Sequence, residues 1–132
     1  MMLEQTRAAM AYRHVSGLSL SEPEKKRYGT MALKLTALIR SAGLCQATHF
    51  IASRNKKPYK ELLNHLGEQL NRVNATISAE QSLLKGVRCA GLQEYLHLTR
   101  EALAVATWYA RLAQSELKVL PTDDTGDEHG DD

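Results

Sequence analysis

A thiol and an imidazole lie four residues apart in the stretch LIRSAGLCQATHF, as Cys45 and His49. Side chains at this spacing share one face of a helix, where these two could bind a metal ion or act as nucleophile and base. A zinc site needs about three or four ligands. The missing ligands would have to come from residues that occur singly on other segments: Cys89, His14, His65 and His97.

The alternative for this stretch is a corner between two helices. Gly43 stands where the end of a helix favours a glycine in the left-handed conformation, and an apolar face follows from Leu44. Cys45 is then a small, mostly buried hydrophobic side chain, as free cysteines usually are. We therefore predict a structural corner, with no metal ligand and no catalytic residue in it.

Acid–base and nucleotide chemistry also lack a pattern in this sequence. Only nine carboxylates precede residue 121, and none are spaced like a catalytic dyad. No serine sits on a sharp glycine turn with a histidine and an aspartate to match, and no glycine-rich phosphate loop is present. The sequence predicts a protein that is not an enzyme and that needs no cofactor.

The composition indicates which elements must carry these residues. Twenty leucines and 16 alanines stand against five valines and three isoleucines, in a chain of 132 residues. Straight-chain and small side chains favour helix, whereas β-branched ones favour strand. We predict an all-α fold: a single compact bundle of five to six helices over residues 1–120, followed by a disordered acidic tail over residues 121–132.

Apolar residues at three-and-four spacing, together with turn residues, outline the helices. Ser21 and Glu24 form the pattern of a capping box, with Pro23 in the first turn. The predicted helices run to about Val15, from Ser21 to Gly43, from Leu44 to the SRNKKP stretch, from Pro58 to Val73, around Leu83 and Leu84, and roughly from Leu92 to Leu117.

The last of these helices carries a heptad pattern. Leu96, Leu103, Ala110 and Leu117 recur at intervals of seven residues, with Leu92, Thr99, Ala106 and Ala113 beside them, and together these residues predict the face that packs against other helices. In the adjacent pair Trp108–Tyr109, we predict at least one core residue.

The sequence contains nothing typical of export or of a membrane protein. No long apolar run follows a basic patch at the start, so no signal peptide is predicted. No run of apolar residues is long enough to span a bilayer. Cys45 and Cys89 do not have the spacing of a disulfide framework, so a cytoplasmic protein with reduced thiols is expected.

The charges are distributed unevenly along the chain. The tail, PTDDTGDEHGDD, carries six of the 15 acidic residues and none of the 17 basic ones, so residues 1–120 have 17 basic against nine acidic side chains. An excess of positive charge on the folded part indicates a polyanionic partner such as nucleic acid. Ordinary solubilising charge is the alternative.

Two basic clusters are candidates for contacts to nucleic-acid phosphates. The first begins with the KKR triplet, and the second lies in RNKKPYK. One Phe, one Trp and five Tyr are too few for a base-stacking platform, so contact to the backbone is expected. A helix–Gly–helix turn at RSAGLCQATHF keeps a small DNA-binding regulator open as an alternative. The candidate residues are Lys25, Lys26, Arg27, Lys34, Arg54, Lys56, Lys57 and Lys60.

Four stretches in order resemble a known family. They are LEQTRAAMAYRHV, KRYGTMALKLTALIRSAGLCQATHFI, YKELLNHLGEQL and EYLHLTREALAVATWYARLAQSEL. The resemblance covers most of residues 3–118 and is to the small helical subunit of the type III-B CRISPR effector, the Cmr complex. Leu35 to Ile39, Gly43, Leu44 and Gln46 supply a family corner, and Arg100 to Leu103, Trp108 and Arg111 supply the closing helix.

The resemblance implies a non-catalytic subunit of an RNA-guided complex in antiviral defence. Such subunits stack with copies of themselves beside the guide-bearing subunits and help to line the groove that holds guide and target RNA. The expected partners are therefore the other subunits, copies of this chain, and the backbones of both RNAs, with no membrane. The small subunit of the related type III-A complex is the nearest alternative, and a metal-dependent enzyme using Cys45 and His49 is a more distant one.

Overall fold

A computed structural model describes residues 2–121, and these fold into α-helices with no strand among them. The prediction of an all-α fold with five to six helices is confirmed. Residues 122–132, which hold nearly all of the predicted acidic tail, lie outside the described residues. The helices are α1 (Leu3–Ser16), α2 (Glu22–Ala42), α3 (Leu44–Ser53), α4 (Lys57–Leu70), α5 (Glu80–Cys89) and α6 (Leu92–Ser115).

Helix α2 begins at the capping box that the sequence predicts. The Ser21 hydroxyl accepts a hydrogen bond from the Glu24 backbone N–H at 3.3 Å, and the Glu24 carboxylate accepts one from the Ser21 N–H at 3.0 Å. These two bonds satisfy donors that the first turn of a helix leaves without intrahelical partners.

The corner between α2 and α3 is a single residue. Gly43 ends α2, caps α3 and has φ +88° and ψ 159°. The predicted positive φ is confirmed, but ψ is extended instead of left-handed helical. This region of backbone conformation is essentially restricted to glycine. The chain therefore passes from α2 into α3 at Gly43 without a loop.

Helix α2 lies at the centre of the bundle. It packs against α3, α4 and α6, while α1 packs on α6 and α5 on α4. Lys57 acts on Glu24, and the Tyr28 hydroxyl contacts His65, so later residues of α2 meet later residues of α4 and the two helices run in the same direction. The start of α2 and the start of α4 therefore lie at one end of the bundle.

Helix α6 packs with a face that matches only part of the predicted one, because Ala106 and Ala113 are buried whereas the leucines at intervals of seven are not fully buried. Leu96 is 49% exposed, and Leu103 is only half-buried. The core face is formed by residues at mixed three- and four-residue spacing, including the predicted Tyr109: Leu98, Glu101, Ala102, Val105, Ala106, Tyr109 and Ala113. The small alanines on this face let α2 and α1 approach closely, which large leucines on the heptad face would prevent.

Two helices have the length of a membrane span. Helices α2 and α6 have 21 and 24 residues. Both carry several charged side chains. Within the described part of the chain, no helix combines the length and the apolar character that crossing a bilayer requires.

Candidate nucleic-acid interface

The structure brings Cys45 and His49 together but leaves the imidazole no role as a base toward the thiol. The Cys45 Sγ lies 3.9 Å from His49 Nδ1, and that nitrogen is 2.8 Å from the backbone carbonyl of Cys45. His49 Nε2 lies 3.1 Å from Nη1 of Arg88. Because a guanidinium only donates, Nε2 accepts and Nδ1 carries the proton that it donates to the carbonyl.

The hydroxyl of Tyr95 stabilises the corner between α2 and α3. The Cys45 backbone N–H donates to the Tyr95 hydroxyl at 2.9 Å, which fixes the start of α3 against α6. Within residues 2–121, no three histidine, cysteine or acidic side chains come close enough together to hold a metal ion. The geometry at Cys45 is that of a packing corner.

The two basic clusters occupy the same end of the bundle. The Glu24 carboxyl, in the first turn of α2, has a pKa lowered first by the hydrogen bond from the Ser21 N–H and further by the nearby charges of Lys57 and Arg27. Lys57 is the first residue of α4. A cation from each cluster therefore acts on one carboxylate, and we name this end the basic end. Of the eight candidate cations, Lys34 lies beyond the middle of α2 and so outside this end.

The second cluster lies on the turn between α3 and α4 and on the first turn of α4. The Arg54 guanidinium lies over the buried ring of Tyr59, 5.5 Å from its centre. Lys57 and Lys60 are exposed in the first turn of α4, and Lys56 just before it is partly exposed. Cations at the start of a helix face the positive end of the helix dipole. The helix dipole of α4 therefore does not explain the position of these cations.

The first cluster is divided between two faces of α2. Lys25 and Lys26 line a groove with the segment Glu116–Val119 after α6, and Lys25 also pairs with Glu22 at 3.5 Å. Arg27 and Lys34, seven residues apart, lie on nearly the same side of α2 because seven residues make about two turns. Lys34 stands about 10 Å farther along α2 than Arg27, at about 1.5 Å per residue.

One cation of the basic end was missed in the sequence. Lys118 lies in the groove beside Lys25 and Lys26, with φ +58°, and its Nζ donates to the Ser115 carbonyl at 2.9 Å. It is isolated in the sequence, so only the packing of the segment after α6 onto α2 brings it to the other two.

A buried polar network joins the helices that carry the basic end. The imidazoles of His14 and His65 stack with ring centres 4.0 Å apart. The Tyr28 hydroxyl lies 2.7 Å from His65 Nδ1, and the Tyr109 hydroxyl lies 2.8 Å from His14 Nδ1. His14 Nε2 also lies 3.0 Å from the carboxylate of Glu68. The network links α1, α2, α4 and α6 and so fixes α4 beside α2.

Burial keeps both imidazoles of this network neutral. Desolvation lowers the pKa of His65 to about 3, and the neighbouring His14 lowers it further. Desolvation also lowers the pKa of His14, against the opposing effect of Glu68. Two stacked neutral rings avoid the repulsion that two imidazolium ions would have at this distance.

Helix α3 is not presented as a DNA-reading helix. It packs against α2, α4, α5 and α6, and it buries Leu44, Ala47, Thr48 and Ile51. Its ten residues include no lysine or arginine. A recognition helix needs an open face with side chains that reach base edges, so the resemblance of this stretch to a helix-turn-helix ends at the glycine corner.

Comparisons with known proteins agree with the resemblance seen in the sequence. The profile of the family described as CRISPR-associated protein (Cas_Cmr5) matches residues 3–116. The CRISPR system Cmr subunit Cmr5 of Thermus thermophilus is 40% identical over 111 residues, which are 84% of this chain and 92% of that protein. A crystal structure of a CRISPR-associated Cmr5 family protein, also from Thermus thermophilus, has a TM-score of 0.75 and 39% identity, covering 87% of this chain and 97% of that one. The chain therefore belongs to the Cas_Cmr5 family of CRISPR-associated proteins.

Proposed function

We propose that this chain is a non-catalytic, cytoplasmic subunit of an RNA-guided Cmr effector complex in antiviral defence. In the complex it stacks with copies of itself and lines the groove for guide and target RNA with its basic end. The curated relative from Thermus thermophilus is a Cmr subunit, which supports assembly with other Cmr proteins. The same match favours the type III-B complex over the type III-A alternative.

The observation that carries the RNA contact is the meeting of two basic clusters at one end of the bundle. They are separate in the sequence, and parallel packing of α2 and α4 places Lys57 within electrostatic reach of Glu24 beside Arg27. Clustered cations that neutralise several phosphates give sequence-independent binding. Such binding suits a subunit whose RNA is specified by base pairing elsewhere in the complex.

The hydrogen bonds of Cys45 and His49, the one pair in the sequence whose spacing suggested catalysis, support the non-catalytic role. His49 uses one ring nitrogen on the Cys45 carbonyl and the other on Arg88. An activated thiol needs a base free to take its proton. Elemental analysis of the purified chain tests the metal-enzyme alternative, because a stoichiometric metal that is lost on replacing Cys45 or His49 would support it.

Affinity capture of the tagged chain from its native cells in mild salt tests the proposed function. We expect several partner proteins and a population of short RNAs to be recovered with it. Recovery of the chain alone, with neither RNA nor partner proteins, would contradict the proposal. Tight binding of the isolated chain to one duplex DNA sequence would favour the DNA-binding regulator instead.

A further inference from the structure

A second group of cations lies away from the basic end, where α1, α6 and the turn after α4 meet. Arg7, Arg72 and Arg100 line a surface cavity of about 440 Å³ together with one carboxylate, that of Glu101. The Glu4 carboxylate also pairs with Arg7 at 3.3 Å from outside this wall, so the three guanidinium groups exceed the two carboxylates by one positive charge. Val73, His97 and Ala104 complete the wall.

Glu101 orders two of these arginines. Its nearly buried carboxylate accepts hydrogen bonds from Arg7 Nε at 2.9 Å and Arg7 Nη2 at 2.7 Å, and one from Arg72 Nη2 at 2.8 Å. Bidentate pairing holds the planar guanidinium of Arg7 in one orientation. The hydrogen bonds from Arg7 and Arg72 also keep the pKa of Glu101 low, so the carboxylate stays charged.

A buried amide anchors the same arginines to the core. Gln69, which is fully buried, accepts from Arg72 Nη2 at 2.5 Å through Oε1. Its Nε2 lies 3.2 Å from both the Arg7 carbonyl and the Tyr109 hydroxyl. Nη2 of Arg72 therefore has two acceptors, Gln69 and Glu101, while its Nε and Nη1 have no hydrogen-bond partner among residues 2–121.

Arg100 is the third arginine that lines the cavity. Its side chain is exposed on α6, directly beside Glu101 in the sequence. Within the part of the chain that the structure describes, it makes no hydrogen bond and no ion pair. Arg72 and Arg100 thus offer donors to the cavity, while Arg7 and Glu101 form the fixed floor.

We propose that this cavity binds a phosphate group of the RNA backbone through Arg72 and Arg100. A guanidinium presents donors in a planar fork that matches two phosphate oxygens, and ordering the fork in advance reduces the entropy lost on binding. The excess of positive charge favours a phosphate over a docking protein, because protein interfaces are anchored by large apolar or aromatic side chains. The apolar residues of this cavity are only Val73 and Ala104.

This site extends the RNA path of the proposed function, on which it rests. Helix α4 carries Lys57 at its start, and Arg72 follows two residues after its end at Leu70. At about 1.5 Å per residue, the two cations are separated by about 20 Å along the helix. An RNA strand that contacts both would run along the bundle instead of crossing only the basic end.

The test is the salt dependence of binding of the full-length chain to single-stranded poly(U) RNA, measured by fluorescence anisotropy from low salt upward. For Arg100→Ala we expect the slope of log K against log salt to decrease by about 0.7, the value of one lost single-strand phosphate contact. Arg100→Lys keeps the charge but not the fork, so its slope is unchanged and its affinity is lower. Arg111→Ala, an exposed arginine eleven residues farther along α6, is the matched control and leaves the slope unchanged.

An unchanged slope in Arg100→Ala, or an equal decrease in Arg111→Ala, would contradict the proposal that the cavity binds a phosphate.

The double variant Lys56→Ala/Lys57→Ala in the same series distinguishes the cavity from the basic end as the RNA-binding site. If it lowers the slope while Arg100→Ala does not, the basic end binds RNA and the cavity does not. If the unsubstituted chain does not bind RNA at low salt, both proposals fail. If Arg100→Ala loses partner proteins in affinity capture without a change in RNA slope, the cavity docks a protein instead.

Discussion

At the scale of single residues, the least expected arrangement is the stack of His14 on His65. In the sequence the two histidines are 51 positions apart on different predicted helices, and nothing in their spacing pairs them. In the structure their rings are 4.0 Å apart and nearly parallel, enclosed by the hydroxyls of Tyr28 and Tyr109. The packing of α1, α2, α4 and α6 therefore requires both imidazoles to be neutral.

The stability of the protein should fall as the pH is lowered below about 6.5. His65 has a pKa of about 3 in the folded protein and 6.5 as the ordinary value, so only the unfolded chain gains this proton between those values. The contribution is fully present above pH 6.5 and decreases by about 1.4 kcal/mol per pH unit below it. Between pH 7 and pH 5 this amounts to about 2 kcal/mol. The charged and titratable groups around the pair are Tyr28, Tyr109, Arg13, Glu61 and Glu68.

Urea unfolding of His65→Asn at pH 7 and pH 5 measures this contribution. Asparagine keeps a polar group near the Tyr28 hydroxyl but cannot take up the proton, so the difference between the two pH values should shrink by about 2 kcal/mol. His97→Asn, at an exposed histidine, is the control and should behave like the unsubstituted chain. Equal pH dependence in His65→Asn and in the unsubstituted chain would mean that His65 is not held neutral.

At the scale of elements, the corner at Gly43 decides how α2, α3 and α6 meet. A Cβ at Gly43 would lie 3.3 Å from the Tyr95 hydroxyl, which is the group that accepts from the Cys45 N–H. The positive φ of Gly43 adds a backbone penalty for any other residue. Gly43→Ala should therefore lower the free energy of unfolding by about 1–3 kcal/mol.

Gly91→Ala is a suitable control for this substitution. Gly91 has φ −72°, and a Cβ there would meet nothing within 4 Å. The lower entropy of the unfolded chain should roughly offset the weaker helix cap, so the free energy of unfolding should change by about 0.5 kcal/mol or less. If Gly43→Ala is as stable as Gly91→Ala in chemical denaturation, Gly43 is not the strained corner described above.

The predicted helix boundaries were accurate where capping residues and glycine determine them. They were less accurate where packing against other helices determines them. The Ser21 cap and the Gly43 corner are confirmed to the residue. Helix α4 ends at Leu70, however, and Val73 lies in the following turn. In α6 the leucine and alanine pattern is compatible with more than one packing face. Only the neighbouring helices decide that the face of Ala102 and Ala106, and not that of Leu96, is buried.

At the scale of the whole molecule, the packing of the helices brings positively charged side chains from distant segments together at the basic end. The clusters of Lys25–Arg27 and Arg54–Lys60 are about 30 residues apart in the sequence and meet because α2 and α4 pack side by side in the same direction. Replacing both Lys56 and Lys57 by alanine should lower the salt-dependence slope of RNA binding by about 1.4, at about 0.7 for each single-strand phosphate contact.

The same loss of charge elsewhere provides the control. Arg40→Ala/Lys85→Ala removes two exposed cations outside both clusters. If the basic end binds RNA, this variant keeps the slope of the unsubstituted chain. Equal slopes in the two double variants would show that net charge, and not the basic end, governs the binding.

The sequence by itself determined the all-α class, the cap of α2 at Ser21, the corner at Gly43, the basic character of residues 1–120 and the family resemblance. These features depend on local propensity, capping and composition, which act within a few residues of the chain. Only the tertiary structure decided which cations lie together, that Lys118 joins Lys25 and Lys26, and that Arg7, Arg72 and Arg100 line one cavity with Glu101. The physical reason is that contacts between distant segments depend on the direction and face of each helix, which are set by packing in the core.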